Sequence, residues 1–212
     1  MSDYYPIMLK LRGKRCVVVG GGEVAERKVQ AMLECGASVC VVSPELSEGL
    51  RALADEGQIE VTARRYRRGD LKGAVLAVAA VDDPEVNKRV FREGERRGVP
   101  VNVVDDPENS SFIVPSILRR GDLLIAVSTS GRSPALARKI RQDLEESYGA
   151  EYAALVLLIS EVRSDLKQRG IRMQGDAWQE SLQVAPLLKL LRKKDYDGAR
   201  RRLVDELESA AK

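Results

Sequence analysis

Short apolar runs rich in β-branched residues alternate along this chain with stretches whose apolar positions recur every three or four residues. Cys16 to Val19, Ala37 to Val42, Ala74 to Ala80 and Val99 to Val104 belong to the first kind and predict strands buried on both faces. Ile59 to Tyr66 alternates apolar with polar residues and predicts a more exposed edge strand. Between these runs lie amphipathic stretches. One starts at Glu23, turns Val24, Ala25, Val29, Met32 and Leu33 inward, and stops at Gly36. A second carries Leu46, Leu50 and Leu53 before Gly57, with Ser43-Pro44-Glu45 as its expected cap. A third opens at Asp82-Asp83-Pro84, buries Val86, Val90 and Phe91, and ends at Gly98. Strands alternating with helices predict an α/β fold, a Rossmann-like parallel sheet covered on both faces, over residues 1–112.

The rhythm then changes. Phe112 to Leu118 and Leu123 to Ser128 predict a hairpin whose connection is Arg119-Arg120-Gly121-Asp122. Ser133-Pro134 opens a helix that runs to Tyr148. One hairpin and one helix are too little to close a core. This small α+β segment, 113–149, is therefore expected to pair with a second copy as a homodimer. A helical tail, 150–212, follows as Glu151 to Arg169, Asp176 to Lys193, and Asp195 to Ala210, with breaks at Gly170 to Gly175 and at Asp195.

Composition narrows the function classes. The 212 residues are 44% hydrophobic and 32% charged, which is the balance of a soluble globular protein. A net charge of +3, spread evenly, does not argue for nucleic acid, and it tolerates an anionic small molecule. The basic stretches Arg64 to Arg68, Arg192 to Lys194 and Arg200 to Arg202 read as solvated faces. The N-terminal residues hold Asp3 and no apolar core, so no signal peptide is expected, and no apolar run is long enough for a bilayer. Cys16, Cys35 and Cys40 lack metal-ligand or redox spacing and read as free thiols of a cytoplasmic protein. There is no histidine, which removes the usual general base and the commonest transition-metal ligand. No metal site is expected.

Against this background the chemistry concentrates at the ends of the strands. Gly20, Gly22 and Ala25 fit the G-x-G-x-x-G/A fingerprint at a strand-to-helix turn. There the backbone of Gly20, Gly21, Gly22, Glu23 and Val24 would meet a pyrophosphate. In an open parallel sheet the other ligand contacts come from the neighbouring strand ends: Ser43, Pro44 and Glu45, then Ala80 and Asp82, then Asn102. No arginine follows the second strand to receive a 2′-phosphate, so NAD is expected over NADP. Asp105 lies just beyond a buried strand and is the candidate catalytic base, though Asp105 or Asp106 could equally cap a turn before Pro107. A second candidate surface is the loop of Ser128, Thr129, Ser130, Gly131, Arg132 and Ser133. It joins hydroxyls, an arginine and a helix N-terminus, with Arg119 and Arg120 adding charge for an anionic substrate. An ordinary capped helix start accounts for Ser133 and Pro134 without a ligand.

The segments YPIMLKLRGKRCVVVGGGEVAERK, VVSPE, AAVDDPEVN, NVVDDPENSSFIVPS and STSGRSPALARKIR occur in that order. Together they resemble the precorrin-2 dehydrogenase and sirohydrochlorin ferrochelatase module of the siroheme synthase family, over about the first 150 residues. The resemblance implies NAD-dependent oxidation of precorrin-2 to sirohydrochlorin, in some members followed by insertion of ferrous iron to give siroheme. It implies a dimer built through the middle segment, a catalytic role for Asp105, and NAD contacts at the Gly20 to Val24 turn and at Ser43 to Glu45. Longer members carry a methyltransferase domain, here expected on another polypeptide. The rival expectation is a regulatory Rossmann module that binds a dinucleotide without turnover.

Overall fold

The structure is a computed structural model that describes residues 4–171 and 175–210. The chain forms two compact units, Met1–Val114 and Pro115–Lys212.

In the first unit the order is β1 (Arg15–Val19), α1 (Glu23–Glu34), β2 (Ser38–Val42), α2 (Glu48–Asp55), β3 (Ile59–Thr62), β4 (Leu76–Ala79), α3 (Pro84–Arg97) and β5 (Val101–Val103). The five strands form one parallel sheet in the order β3-β2-β1-β4-β5. Pleating sends alternate residues to opposite faces, and both faces are covered. Val17, Val19, Cys40, Val42, Ala77 and Ala79 pack with Val90 of α3, together with Leu71 and Tyr66. Cys16, Val18, Val39, Val41, Leu76 and Val78 pack with Ala25, Val29 and Met32 of α1 and Leu50 of α2. The apolar runs are unbroken because neither face meets water. Each fully buried Val or Leu contributes about 1.5–3 kcal/mol. The predicted edge strand is β3, although it stops at Thr62 and Tyr66 lies beyond it.

Val19 stands opposite both Val42 and Ala79, so the carboxyl ends of β1, β2 and β4 are level. The strand order reverses at β1, which opens a crevice between the loops that follow β1 and β4.

Two expectations in this unit need correction. The cap of α2 is Ser47, whose hydroxyl accepts from the Leu50 N–H at 3.3 Å, and not Ser43 to Glu45. The Arg64 to Arg68 stretch is not simply a solvated face. Arg64 makes a two-pronged ion pair with Asp70, at 2.8 and 2.7 Å, and Tyr66 is buried. Beside it Glu93, 1% exposed, accepts from the Tyr66 hydroxyl at 2.5 Å, from the Gly69 N–H at 2.9 Å and from Arg97 Nε at 2.6 Å. A buried carboxylate is tolerable only when so completely partnered. The network fastens the loop after β3 to α3.

The second unit contains β6 (Ser116–Arg120), β7 (Leu123–Val127), α4 (Pro134–Ser147), α5 (Glu151–Gln168), α6 (Gly175–Ser181), α7 (Val184–Arg192) and α8 (Tyr196–Ala210). Strands β6 and β7 are antiparallel with Arg120 opposite Leu123, so the turn is Gly121-Asp122 alone. Arg119 and Arg120 belong to the strand, not to the turn as expected. The hairpin is packed by both α4 and α5. Leu155, Leu158, Val162 and Leu166 of α5 make a core with Leu187 and Leu191 of α7 and Leu203 and Leu207 of α8.

The single helix expected over Asp176 to Lys193 is two helices, α6 and α7, broken at Leu182-Gln183. Pro186 is the cause: it has no N–H, and its ring would clash with the Leu182 carbonyl of a continuous helix. Part of the expected break at Gly170 to Gly175 lies outside the described residues. Cys16 and Cys40 are buried, and Cys35 is half-buried at the end of α1. Burial, with Cys35 nearby, pushes the Cys16 thiol up to about 11, so it is inert at neutral pH.

Candidate functional site

The site begins at the turn after β1. The Gly20 N–H donates to the Val42 carbonyl at 3.0 Å, and its φ is +126°. A Cβ there would collide with the Ala80 carbonyl oxygen. A Cβ on Gly21 would collide with the Glu45 carbonyl oxygen and lie 2.6 Å from the Ser43 hydroxyl. Glycine is therefore required at both positions by close backbone approach. Gly22 differs: it is exposed, and a Cβ there would meet nothing within 4 Å.

Gly22 is the N-cap of α1 and offers no side-chain cap, whereas α2, α3 and α4 are capped by Ser47, Asp83 and Ser133. The N–H groups of the first turn, at Glu23 and Val24, thus have no side-chain cap at the positive end of the helix dipole. Free N–H donors, a bare glycine and room beside it fit a pyrophosphate.

The segment after β2 closes over this turn. The Ser47 N–H donates to the Gly21 carbonyl at 2.6 Å. Ser43 is buried, and its hydroxyl donates to the Glu45 carbonyl at 2.6 Å, so it braces the loop from within. Pro44 and Glu45 are exposed. After β4, the Ala80 N–H donates to the Val19 carbonyl at 2.8 Å, and Asp82 is exposed. Asn102 lies in the middle of β5 and donates through Nδ2 to the Phe112 carbonyl at 3.0 Å, which fastens the returning chain to the strand.

The two aspartates after β5 have different positions and partners. Asp106 receives the Asn109 N–H at 3.1 Å and the Asn109 side-chain amide at 2.7 Å. Ser110 completes the turn by donating to the Asp106 carbonyl at 2.8 Å and accepting from the Val103 N–H at 2.9 Å. Asp105 has a φ of +58° and is exposed. No hydrogen bond or ion pair engages its carboxylate among the described residues. Turn-capping thus falls to Asp106. Asp105 is held in a left-handed conformation that residues other than glycine, asparagine and aspartate rarely adopt.

Sequence reasoning missed Lys28. It lies one helical turn beyond Val24 on α1, half-buried, with the Asp105 carboxylate as a neighbouring charge. Its i, i+4 spacing from Val24 was the available signal.

In the second unit the loop after β7 is internally wired. The Ser128 hydroxyl accepts from the Ser130 N–H at 3.1 Å, and Thr129 Oγ1 from the Ser133 N–H at 2.9 Å. Ser133 caps α4, accepting from the Leu136 N–H at 3.3 Å. Ser130 and Gly131 both have positive φ, and Gly131 and Arg132 are exposed. The hydroxyls of Ser128, Thr129 and Ser133 therefore shape the loop as acceptors. Arg120 donates through Nε to the Tyr148 carbonyl at 2.9 Å, closing the end of α4, while Arg119 lies on the same strand. No cluster of three or more His, Cys, Asp or Glu fit for a metal exists among the described residues. None of their helices is long and apolar enough to cross a membrane.

The NAD(P)-binding family NAD_binding_7 matches residues 7–116, and the sirohaem biosynthesis protein central family matches residues 120–147. The chain belongs to the siroheme synthase family. It is 50% identical over 77% of its length to a siroheme synthase of Methylobacillus flagellatus, covering 35% of that protein. It is 40% identical over 99% of its length to a siroheme synthase of Azotobacter vinelandii, covering 45% of that one. The chain thus spans less than half the length of these curated relatives. A solved structure titled "SirC, precorrin-2 dehydrogenase" matches with a TM-score of 0.73 and 26% identity, over 97% of this chain and 100% of that one. The glycine turn lies within the residues that the NAD(P)-binding family matches.

Proposed function

We propose that this chain is an NAD-dependent precorrin-2 dehydrogenase that makes sirohydrochlorin for siroheme biosynthesis. The observation that carries the reading is the uncapped α1 N-terminus at Gly22, in a sheet whose β5 is followed by Asp105, its carboxylate without a hydrogen-bond or ion-pair partner among the described residues. The likeness to siroheme synthases and to a precorrin-2 dehydrogenase over its whole length supports it.

NAD, when bound, supplies the hydride acceptor. The first-turn N–H groups of α1 hold its pyrophosphate, and Gly20 and Gly21 let the backbone come close. Asp105 takes the proton released as precorrin-2 loses its hydride, a general-base role that contributes typically ~10²–10⁴-fold. Among the remaining expected cofactor contacts, Pro44, Glu45 and Asp82 are exposed near the strand ends, while Ser43 and Asn102 act through the loops they brace. No arginine or lysine stands among Ser43, Pro44 and Glu45 after β2, and Arg64, just beyond β3, is engaged by Asp70. NAD is therefore preferred over NADP. The loop of Ser128 to Ser133, with exposed Arg132, presents donors suited to the carboxylates of a tetrapyrrole. A homodimer follows from exposed Ile117, Leu136 and Ile140, which β6 and α4 leave uncovered. The free thiols accord with a cytoplasmic location. Iron insertion into sirohydrochlorin, with ferrous iron as substrate, would use the same Asp105 carboxylate, since no histidine is available.

The test is oxidation of precorrin-2 by the purified chain, followed through the tetrapyrrole spectrum with NAD and separately with NADP. Spectral conversion with NAD, at higher kcat/KM than with NADP, is expected. NAD binding without any conversion would establish the regulatory-module alternative instead.

A further inference from the structure

Helix α1 carries two cations, exposed Arg27 and half-buried Lys28, and Lys28 feels the charge of Asp105. Helix α1 packs against β1, β2 and β4, and β4 is the direct neighbour of β5. The face of the sheet that α1 covers also carries Val104, the residue before Asp105, and Phe112. Lys28 stands in the second turn of α1, half-buried, and the Asp105 carboxylate is one of the charges that act on it. No hydrogen bond or ion pair holds it among the described residues. Lys28 and Asp105 therefore feel each other across a gap that neither closes, and both remain free for a ligand.

An unpaired, half-buried ammonium is costly unless something anionic completes it. Burial lowers the Lys28 pKa, the Arg27 charge lowers it further, and only Asp105 raises it. The pyrophosphate already has the N–H groups at Gly22 to Val24. The group left for Lys28 is an anion on the Asp105 side, where the substrate reacts.

We propose that Lys28 is a substrate-binding residue, its ammonium pairing with a carboxylate of the tetrapyrrole beside Asp105. This rests on the dehydrogenase reading above and deepens it. The anchor turns one acidic arm of the macrocycle toward the nicotinamide end and fixes which carbon faces Asp105.

The experiment compares Lys28→Met, which keeps an apolar stem, and Lys28→Arg with the wild-type chain. Three quantities are measured: KM for precorrin-2, KM for NAD, and sirohydrochlorin affinity by absorbance titration without turnover. Thermal midpoints confirm that each variant is folded. Loss of a charge-assisted contact predicts that Lys28→Met raises the precorrin-2 KM and weakens sirohydrochlorin binding by about tenfold or more. The KM for NAD should stay within about twofold on the same scale. Lys28→Arg should recover most of the tetrapyrrole affinity.

A Lys28→Met protein whose KM rises for NAD alone would assign the lysine to the dinucleotide phosphates and overturn the proposal. Unchanged values for both ligands would overturn it too, leaving a solvated side chain. If wild type itself fails to bind sirohydrochlorin, the dehydrogenase reading falls and the anchor with it. If wild type binds and turns over while Lys28→Met matches it, only the anchor falls.

Discussion

Asp105 and Asp106 are adjacent carboxylates in one turn, and the structure predicts opposite consequences for replacing them. Asp105→Asn removes a carboxylate that has no hydrogen-bond or ion-pair partner among the described residues, and asparagine tolerates the φ of +58° as well as aspartate does. Stability should hardly change. If Asp105 is the general base, kcat should fall by ~10²–10⁴-fold, about 2.7–5.5 kcal/mol of barrier. NAD affinity should stay near wild type if, as proposed, the glycine turn holds the nucleotide. Asp106→Ala removes the acceptors for two Asn109 donors at 3.1 and 2.7 Å. A lost capping carboxylate with an amide partner costs about 1–2 kcal/mol, or a midpoint lowered by roughly 2–8 °C. Most of its turnover at 20 °C should survive. The assays are single-turnover oxidation of precorrin-2, fluorescence titration with NADH, and thermal melts by circular dichroism. Near wild-type turnover in Asp105→Asn would refute the argument, as would a folded Asp106→Ala protein that loses as much activity.

Gly22→Asp places a carboxylate in open space at the α1 N-terminus, so it should fold normally yet weaken NADH binding by on the order of 100-fold or more, measured by fluorescence titration. Glu93 should make the protein acid-sensitive. Burial raises its pKa, but hydrogen bonds from Tyr66, Gly69 and Arg97 outweigh that and lower it overall. A depressed carboxylate stabilises the fold above its unfolded pKa of about 4.5, and the contribution is lost as pH falls through the lower folded value. Melts from pH 7 to pH 3 should therefore show a drop below about pH 4.5 that is smaller in Glu93→Gln. Leu136→Glu combined with Ile140→Glu should convert a dimer to monomers in sedimentation at micromolar concentration, and unchanged dimers would place the interface elsewhere. Asp105→Ala should abolish iron insertion into supplied sirohydrochlorin, a reaction that needs no NAD, whereas insertion at the wild-type rate would rule out a shared carboxylate.

The parallel sheet and the glycine turn after β1 were legible in the amino-acid sequence because both depend on local chemistry. Val17 to Val19 and Ala77 to Ala79 show no polar alternation, which only a doubly covered strand permits. Gly20, Gly22 and Ala25 stand at intervals set by the backbone of a strand-to-helix turn. The break in the tail helix at Pro186 was equally local and was overlooked. Other features could not be read from order alone. Which of two neighbouring aspartates caps the turn depends on the backbone path that brings Asn109 onto Asp106 and Ser110 back onto Val103 of β5. The hydroxyl of Ser43 turns inward because Glu45 and Ser47 fold back over Gly21. Lys28 feels the charge of Asp105 only because the chain folds, since 77 residues of sequence separate them. Local sequence sets backbone conformation and which face is apolar. Tertiary packing alone decides which polar groups find partners and which remain free to meet a ligand.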